Sequence, residues 1–324
     1  MIDVFFVILP NSLLLDLAGP AEAFRIANQE SKEKKFRLRF VGPEPESESS
    51  VGATLSRIEA LPKAFDTTVL ATWVVLLGRP GSPSTVLKRT PQMLAVRHWL
   101  AQVVAPHLFE ANLPPYKCRL ITVCVGALLA ADAGLLHGRR CTTHHELLDE
   151  LAQCSPDSKV IGNRVFVEDG PVATSAGVTA GIDLALHLIA RECGEAIAST
   201  VAQIMVAFAR RTEADEEASP LIALRSHIHA GVHRVQEAVC ANPKREWSML
   251  ELASVAHVTE RHLNRLFKEH AGITPRDYVE QVRLAIATHA LRAGIQPTKA
   301  AQISGFETTR RLAGAQRKAA KNGI

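Results

Sequence analysis

The stretch LELASVAHVTERHLNRLFKEHAGITP, residues 250–275, carries apolar residues at helical spacing on both sides of a short break at residues 256–258. Ser248 and Glu251 stand three residues apart ahead of the first apolar group, which is the pattern of a capping box at a helix N-terminus. Thr259 follows the break and can cap a second helix. The stretch therefore predicts two short helices joined by a tight turn.

The second of these helices runs from Thr259 to about His270, and Gly272 ends it. One face, predicted to be buried, carries residues at i, i+3, i+4 and i+7: Leu263, Leu266, Phe267 and His270. Four polar side chains then face outward: Arg261, Asn264, Arg265 and Lys268. Arginine pairs with guanine through two hydrogen bonds, asparagine pairs with adenine, and lysine contacts phosphate, so this face is suited to DNA.

Helical spacing continues to the end of the chain. Pro275 opens a helix of about 18 residues that ends before Gly294, and at about 1.5 Å per residue it is about 27 Å long. A short helix over residues 297–303 and a last helix over residues 308–321 follow. The last helix exposes four further cations: Arg310, Arg311, Arg317 and Lys318. Two recognition helices joined by such a rod can enter successive major-groove faces, which lie about 34 Å apart.

Charge is distributed unevenly along the chain. Residues 225–324 hold 16 Lys and Arg against 8 Asp and Glu, whereas residues 1–224 hold 21 against 25. The C-terminal part is therefore the candidate for binding a polyanion, with a solvated basic surface as the alternative.

The run at residues 250–275, with Tyr278, Arg283-Leu284 and the sequence AAQISGF at residues 300–306, resembles the DNA-binding domain of the AraC/XylS family. The resemblance covers about a hundred residues. It implies an all-α unit of seven helices with two helix-turn-helix motifs, bound to double-stranded DNA.

The last helix departs from that family pattern. Family members usually place aromatic residues and an arginine along it, whereas Leu312, Gly314, Gln316 and Ala320 stand there in this chain. A central glycine and few large apolar anchors predict weak docking of this helix. We therefore expect base contacts mainly from the first motif, and phosphate contacts or poor order from the second.

The N-terminal part alternates strands with helices. Strands are predicted over residues 2–9, 36–41, 69–77 and 120–123, with short apolar pieces at 164–167 and 172–174; helices are predicted over 19–28, 91–104, 126–133 and 180–210. This order predicts a flavodoxin-like α/β fold, with a mostly parallel sheet covered by helices on both faces. Residues 1–210 form the predicted first domain, 211–224 a charged linker closed by Pro220, and 225–324 the second domain.

Cys124 directly follows the predicted strand at 120–123, and Val125 and a helix follow it. A side chain at such a sharp strand-to-helix turn is presented at the carboxyl edge of the sheet, where the helix N-terminus stabilises a thiolate or a bound anion. His144 is the nearest candidate base along the chain. Asp16 follows the first strand and lies at the same edge.

These features resemble the ThiJ/PfpI group of the class I glutamine-amidotransferase-like fold, with matching residues at 127–136, 138–144 and 169–183. The resemblance implies that an acid, here Asp16, neighbours the cysteine. In the superfamily that cysteine serves hydrolases, glyoxalases or isonitrile hydratases. Placed before an AraC-type domain, the same fold resembles the GlxA-type regulators, which implies effector binding. The predicted ligand-binding residues are Asp16, Cys124, Val125 and His144.

Alternatives stay open at each of these positions. Cys124 can line a ligand pocket, act as the nucleophile of a hydrolase or hydratase-like enzyme, sense oxidants, or be plain core. His144 can cap or pack, and Asp16 can simply cap the following helix. If the protein is a regulator, no residue is catalytic.

Metal and disulfide chemistry are not expected. The six cysteines show no C-x-x-C pairing, and His145-Glu146 lacks the second histidine of a zinc-protease helix. His229 and His233 stand four apart near His227 and could ligate a metal, but no acid or cysteine completes the set. We expect no cofactor.

Residues 1–4 enter an apolar run without a basic leader, and no apolar stretch is long enough to span a membrane, so the prediction is a cytoplasmic protein. The combined hypothesis is a homodimeric, sequence-specific DNA-binding transcription regulator that responds to a small metabolite. Its resemblance to regulators of amino-acid and quaternary-amine catabolism favours a small nitrogenous effector.

Overall fold

The computed structural model describes residues 1–110, 116–177, 179–206, 229–292 and 294–321, with the single residues 213, 224 and 227. The chain divides into two units, Met1–Glu217 and Ala218–Ile324. The predicted linker at 211–224 lies almost wholly outside the described residues, so its conformation and the exact domain limits stay predictions.

A seven-stranded sheet forms the centre of the first unit. The strands of this unit are β1 (Ile2–Val7), β2 (Phe36–Gly42), β3 (Glu46–Glu48), β4 (Thr54–Ser56), β5 (Glu59–Ala60), β6 (Ala71–Leu76), β7 (Cys118–Val123), β8 (Arg140–Cys141), β9 (Lys159–Val160), β10 (Phe166–Asp169) and β11 (Val172–Ser175). The large sheet has the order β10-β11-β7-β6-β1-β2-β5, and every neighbouring pair except β10-β11 is parallel. The predicted mostly parallel α/β fold is confirmed.

Helices cover this sheet, and β1, β6 and β7 are buried along their whole length. The helices are α1 (Leu14–Glu30), α2 (Pro83–Val86), α3 (Pro91–Trp99), α4 (Ala105–Glu110), α5 (Gly126–Asp132), α6 (Leu148–Cys154), α7 (Ala180–Cys193) and α8 (Glu195–Ile204). A π-helical turn, Leu100–Val104, joins α3 to α4. Strands buried on both faces are typical of parallel sheets, because helical crossovers cover each side.

The predicted helix at 19–28 begins earlier than the sequence indicated, at Leu14, and it contains Pro20. The Gly-Pro pair there does not end the helix. A Cβ atom on Gly19 would lie 2.7 Å from Cγ1 of Ile182, so this glycine permits close packing of α1 against α7. Tertiary packing therefore overrides the local helix-breaking signal.

The helices predicted over residues 180–210 are α7 and α8. Gly194 separates them with a φ of +92°, a conformation that favours glycine, and its N–H donates to the carbonyl of Ala190. Residues 207–210 of the prediction lie outside the described part of the chain.

The second unit is built from helices. Its helices are α9 (Ala230–Ala241), α10 (Met249–Ala256), α11 (Glu260–Ala271), α12 (Pro275–Arg292), α13 (Pro297–Ser304) and α14 (Thr309–Lys321). These are six of the seven that the family resemblance implies, and the segment ahead of His229 is largely undescribed. Within the described residues of this unit no strand occurs, in agreement with an all-α domain.

The local signals of the first motif are present as predicted. Ser248 and Glu251 form the reciprocal capping box at the start of α10. The hydroxyl oxygen of Thr259 accepts a hydrogen bond from the N–H of His262 at the start of α11. The turn between the two helices passes through the left-handed conformation at His257, where φ is +58°.

We predict that Gly126→Ala destabilises the first unit. A Cβ atom at this position would lie 2.4 Å from the carbonyl oxygen of Leu76, and backbone cannot move aside cheaply. Overpacking of this kind costs about 1–3 kcal/mol, which urea denaturation followed by the fluorescence of Trp73 and Trp99 can measure. Gly162→Ala is the control, because its nearest neighbour is the end of a leucine side chain at 3.2 Å. Equal unfolding midpoints for Gly126→Ala and wild type would contradict the prediction.

Candidate effector site and DNA-binding surface

Three residues that are distant in the sequence meet at the carboxyl edge of the sheet. Asp16 lies in the first turn of α1, Gly78 follows β6, and Cys124 follows β7. The N–H of Gly78 donates to Oδ2 of Asp16 at 2.9 Å. A Cβ atom on Gly78 would lie 2.5 Å from that oxygen and 3.0 Å from Cβ of Cys124, so Gly78 lies against both residues.

The carboxyl group of Asp16 is fully buried. Burial raises its pKa from the usual 3.8 to about 6, and the hydrogen bond from Gly78 opposes this shift in part. The second carboxyl oxygen, Oδ1, is buried and accepts no hydrogen bond. A buried polar atom without a partner is costly, and functional sites are where such costs are retained.

Cys124 occupies a strained turn between β7 and α5. Its φ is +53°, in the left-handed region that side chains other than glycine rarely adopt. The N–H of Cys124 donates to the carbonyl of Ser175 at 3.0 Å, and its own carbonyl accepts from the hydroxyl of Thr143 at 2.9 Å. Val125 comes next and is buried as the residue that precedes α5. The surrounding hydrogen bonds hold the turn in a conformation that the cysteine alone would disfavour.

His144 follows Thr143 but its ring is engaged elsewhere. Nδ1 accepts from the N–H of Glu146 at 3.5 Å, and the ring packs on that of His145 with centroids 4.3 Å apart. The ring thus caps the short 3₁₀ helix His145–Leu147, which is the capping alternative that the sequence left open.

Sequence reasoning missed Gly78 and Thr143 at this site. Gly78 had a usable signal, because a glycine directly after a buried strand often marks a close approach of backbone. Thr143 had no local signal, since its role depends on a partner 19 residues away.

The DNA-binding residues of the first motif lie along one side of α11. Arg261, Arg265 and Lys268 are exposed, whereas Asn264 is half-buried and donates to the carbonyl of Glu260 in its own helix. A guanidinium nitrogen of Arg265 donates to the ring of His262, an exposed neighbour that the sequence analysis did not select. The amide of Asn264 keeps its second N–H and its oxygen for a base.

In the second motif, Leu312 and Ala315 provide the buried face of α14. Arg310, Arg311 and Arg317 are exposed, and Arg311 pairs with Glu307 at 3.0 Å. Lys318 differs from them, because its Nζ lies 3.1 Å from a carboxyl oxygen of Asp277 and 2.9 Å from one of Glu280.

Four histidines lie together in the second unit. Ring centroids are 4.3 Å apart for His227 and His233, and 4.7 Å apart for His229 and His270. Nδ1 of His229 accepts from the N–H of Val232 and caps α9, while His233 bonds the carbonyl of His227. Burial and the neighbouring imidazoles lower the pKa of His227. Among the residues with described positions, no group of three or more His, Cys, Asp or Glu is arranged to hold a metal ion.

Within the described part of the chain, every helix is too short or too polar to cross a membrane.

Two family models match separate parts of the chain. The DJ-1/PfpI family matches residues 116–191, and a helix-turn-helix domain matches residues 252–321. A ThiJ/PfpI family protein from Pseudomonas syringae shares the fold, with a TM-score of 0.50 at 18% identity over 78% of this chain and 90% of that one.

Several similar proteins are transcription regulators. The HTH-type transcriptional regulator GbdR of Pseudomonas aeruginosa is 27% identical over 312 residues, which are 95% of this chain and 78% of GbdR. CdhR of the same species is 33% identical over 56% of this chain and 54% of its own length. GlxA of Rhizobium meliloti is 28% identical over 64% of each chain.

Fold, motifs and relatives define a DNA-binding protein in which a DJ-1/PfpI-type domain precedes an AraC-type double helix-turn-helix domain. By these domains and relatives, the chain is a DNA-binding transcription regulator rather than an enzyme.

We predict that Asp16→Asn stabilises the protein increasingly as the pH rises. The folded state raises the pKa of Asp16, so it binds the proton more tightly than the unfolded chain does. The buried charge of ionised Asp16 destabilises the folded wild-type protein. This effect is absent below about pH 3.8, develops as the pH rises, and is complete above about pH 6. Removing the ionisable group should therefore change the relative stability by about 3 kcal/mol between pH 4 and pH 8.

Urea denaturation of both proteins at the two pH values measures this difference. Glu22→Gln, on the exposed side of the same helix, is the control, and it should show no comparable trend. A constant stability difference between Asp16→Asn and wild type from pH 4 to pH 8 would mean that Asp16 does not titrate as described.

Proposed function

We propose that the first unit binds a small metabolite at the edge formed by Asp16, Gly78 and Cys124, and that binding controls how the second unit engages DNA. The buried oxygen of Asp16 that lacks a partner carries this proposal, because it is a hydrogen-bond acceptor available to a ligand. Val125, next to Cys124, belongs to the proposed ligand-binding set, whereas the ring of His144, predicted as a fourth member, caps the short helix His145–Leu147. The proposed domains are residues 1–210 and 225–324, joined by 211–224.

A nitrogenous effector suits the chemistry of this edge. A carboxylate attracts a cationic nitrogen, and the N–H of an ammonium or amide group would satisfy Oδ1 of Asp16. An amino acid, whose ammonium N–H can bond Oδ1, or a quaternary amine, which has no N–H and would be held by its charge alone, is the proposed class. We further propose that the protein is a cytoplasmic homodimer, since a two-fold dimer would place two DNA-binding units on tandem or palindromic half-sites.

A thermal-shift screen of the full chain with amino acids and amines tests the effector site. A true effector should raise Tm, because a ligand at a hundred times its Kd adds about 2.7 kcal/mol to the folded state. Asp16→Asn and Cys124→Ala should each abolish the shift, whereas Glu22→Gln should keep it.

Two results would contradict the proposed site. A shift that survives both edge substitutions would place the effector elsewhere. Conversion of the compound by wild type but not by Cys124→Ser, without salt-dependent DNA binding, would support the enzyme alternative.

For DNA recognition we propose that Arg261, Asn264 and Arg265 make the main base contacts and that Lys268 contacts the backbone. The exposed arginines of α14 contact a second block of base pairs, mainly at its backbone. Arg261→Ala or Arg265→Ala should weaken binding to an operator obtained by in vitro selection by about 1–3 kcal/mol, and binding to random DNA by less. Fluorescence anisotropy at two salt concentrations measures both affinities.

Arg265→Lys is the matched control for charge. It keeps the positive charge but loses the paired donors, so it should retain affinity for random DNA while losing preference for the operator. Equal losses on operator and random DNA for Arg261→Ala and Arg265→Ala would show phosphate contact only.

A further inference from the structure

Helix α12 connects the two helix-turn-helix motifs of the second unit. The first motif consists of α10 and α11, and the second of α13 and α14. A connecting helix sets the distance between its ends, but it does not by itself fix the orientation of the motifs about its axis. Contacts across the motifs must supply that constraint.

Arg283, in the middle of α12, contacts the segment that precedes the first motif. Its Nε donates to the carbonyl of Pro243 at 2.8 Å, and its Nη2 donates to the carbonyl of Arg245 at 2.9 Å. The guanidinium is half-buried, so these bonds are partly shielded from water. A planar guanidinium that makes two hydrogen bonds in a fixed geometry restrains the orientation of α12 relative to this segment as well as the distance between them.

The turn of the second motif packs on the same segment. A Cβ atom on Gly305 would lie 2.8 Å from Cα of Lys244 and from the carbonyl oxygen of Pro243, and 3.1 Å from Nε of Arg283. Gly305 also has a φ of +86°, which favours glycine. The turn of the second motif therefore touches the segment that leads into the first motif at residues 243–244, and Arg283 contacts both.

Lys318 provides a second connection, from the last helix back to the start of α12. Its ammonium group lies between the carboxylates of Asp277 and Glu280, which stand three residues apart on one face of α12. The hydrogen bonds to Glu280 and Asp277 raise the pKa of Lys318. The hydroxyl of Thr274 and, to a lesser extent, Lys318 lower the pKa of Asp277. A cation held by two carboxylates adds little net positive charge to a DNA-binding surface.

We infer that Arg283 and Lys318 are positioning residues that hold the two recognition helices in one relative placement. The protein consequently accepts one spacing between the two blocks of bases that α11 and α14 contact. Lys318 thus has a different role from the direct DNA contact that its sequence position predicted, because its charge is directed at α12 rather than at phosphate.

Binding to a set of DNAs in which the two blocks are moved apart or together by one or two base pairs tests this inference. Wild type should lose at least tenfold in affinity for each displacement of one base pair. Arg283→Ala and Lys318→Gln should bind the DNA with the best spacing less tightly than wild type does. Their affinity should also fall severalfold less when the spacing changes. Lys318 is exposed, so Lys318→Gln keeps the test valid even if Arg283→Ala fails to fold.

Arg234→Ala is the matched control. Arg234 also donates to two backbone carbonyls, those of Val255 and Ala256, but both belong to the first motif. Its loss should lower affinity equally at every spacing. The exchanged pair Lys318→Glu with Glu280→Lys should restore the dependence on spacing that Lys318→Gln loses.

Two outcomes would overturn the inference. One is a wild-type affinity that is independent of spacing. The other combines two results. Lys318→Gln loses the same affinity at every spacing, and its salt dependence falls by about one phosphate contact, while Arg283→Ala or Arg283→Lys keeps the wild-type spacing preference.

Discussion

The parallel pairing of β1, β6 and β7 is the constraint on which the first unit depends. Because the three strands run side by side in one direction, their carboxyl ends lie at one edge, and the residues that follow them must meet there. Asp16, Gly78 and Cys124 come from three distant parts of the chain for this reason. Gly78 lacks a side chain at the one point where a Cβ atom would collide with both of its neighbours.

The same edge retains features that oppose stability. The buried carboxyl of Asp16 has a raised pKa and one oxygen without a hydrogen bond, and Cys124 beside it has a left-handed backbone conformation. Each feature has an energetic cost, which the packing of the surrounding sheet offsets. In a regulator without catalytic chemistry, a ligand that satisfies Oδ1 would recover part of that cost on binding. Such a site couples ligand binding to the stability of its own domain.

The positively charged side chains of the second unit fall into two groups, those exposed to solvent and those held by oxygen atoms of the same unit. Arg261 and Lys268 on α11 are exposed, whereas Arg283 and Lys318 are held by carbonyl or carboxylate oxygens of the same unit. Net positive charge therefore overstates the number of groups free to contact phosphate. The small apolar contact of the second motif, Leu312 with Ala287 and Ala301, leaves polar contacts to set the direction of α14.

The sequence by itself determined the features that depend on near neighbours. The capping box at Ser248, the alternation of strands and helices, and the elbow at Cys124 are all encoded within a few residues, where local geometry decides the structure. The start of α1 and the position of the break at Gly194 were not predicted, because packing and a single backbone conformation decided them. Only the tertiary structure placed Asp16 against Gly78, 62 residues apart, and Lys318 against Asp277, 41 residues apart. Such partners carry no local pattern, since their contact exists only once the sheet or the helical unit has brought distant segments together.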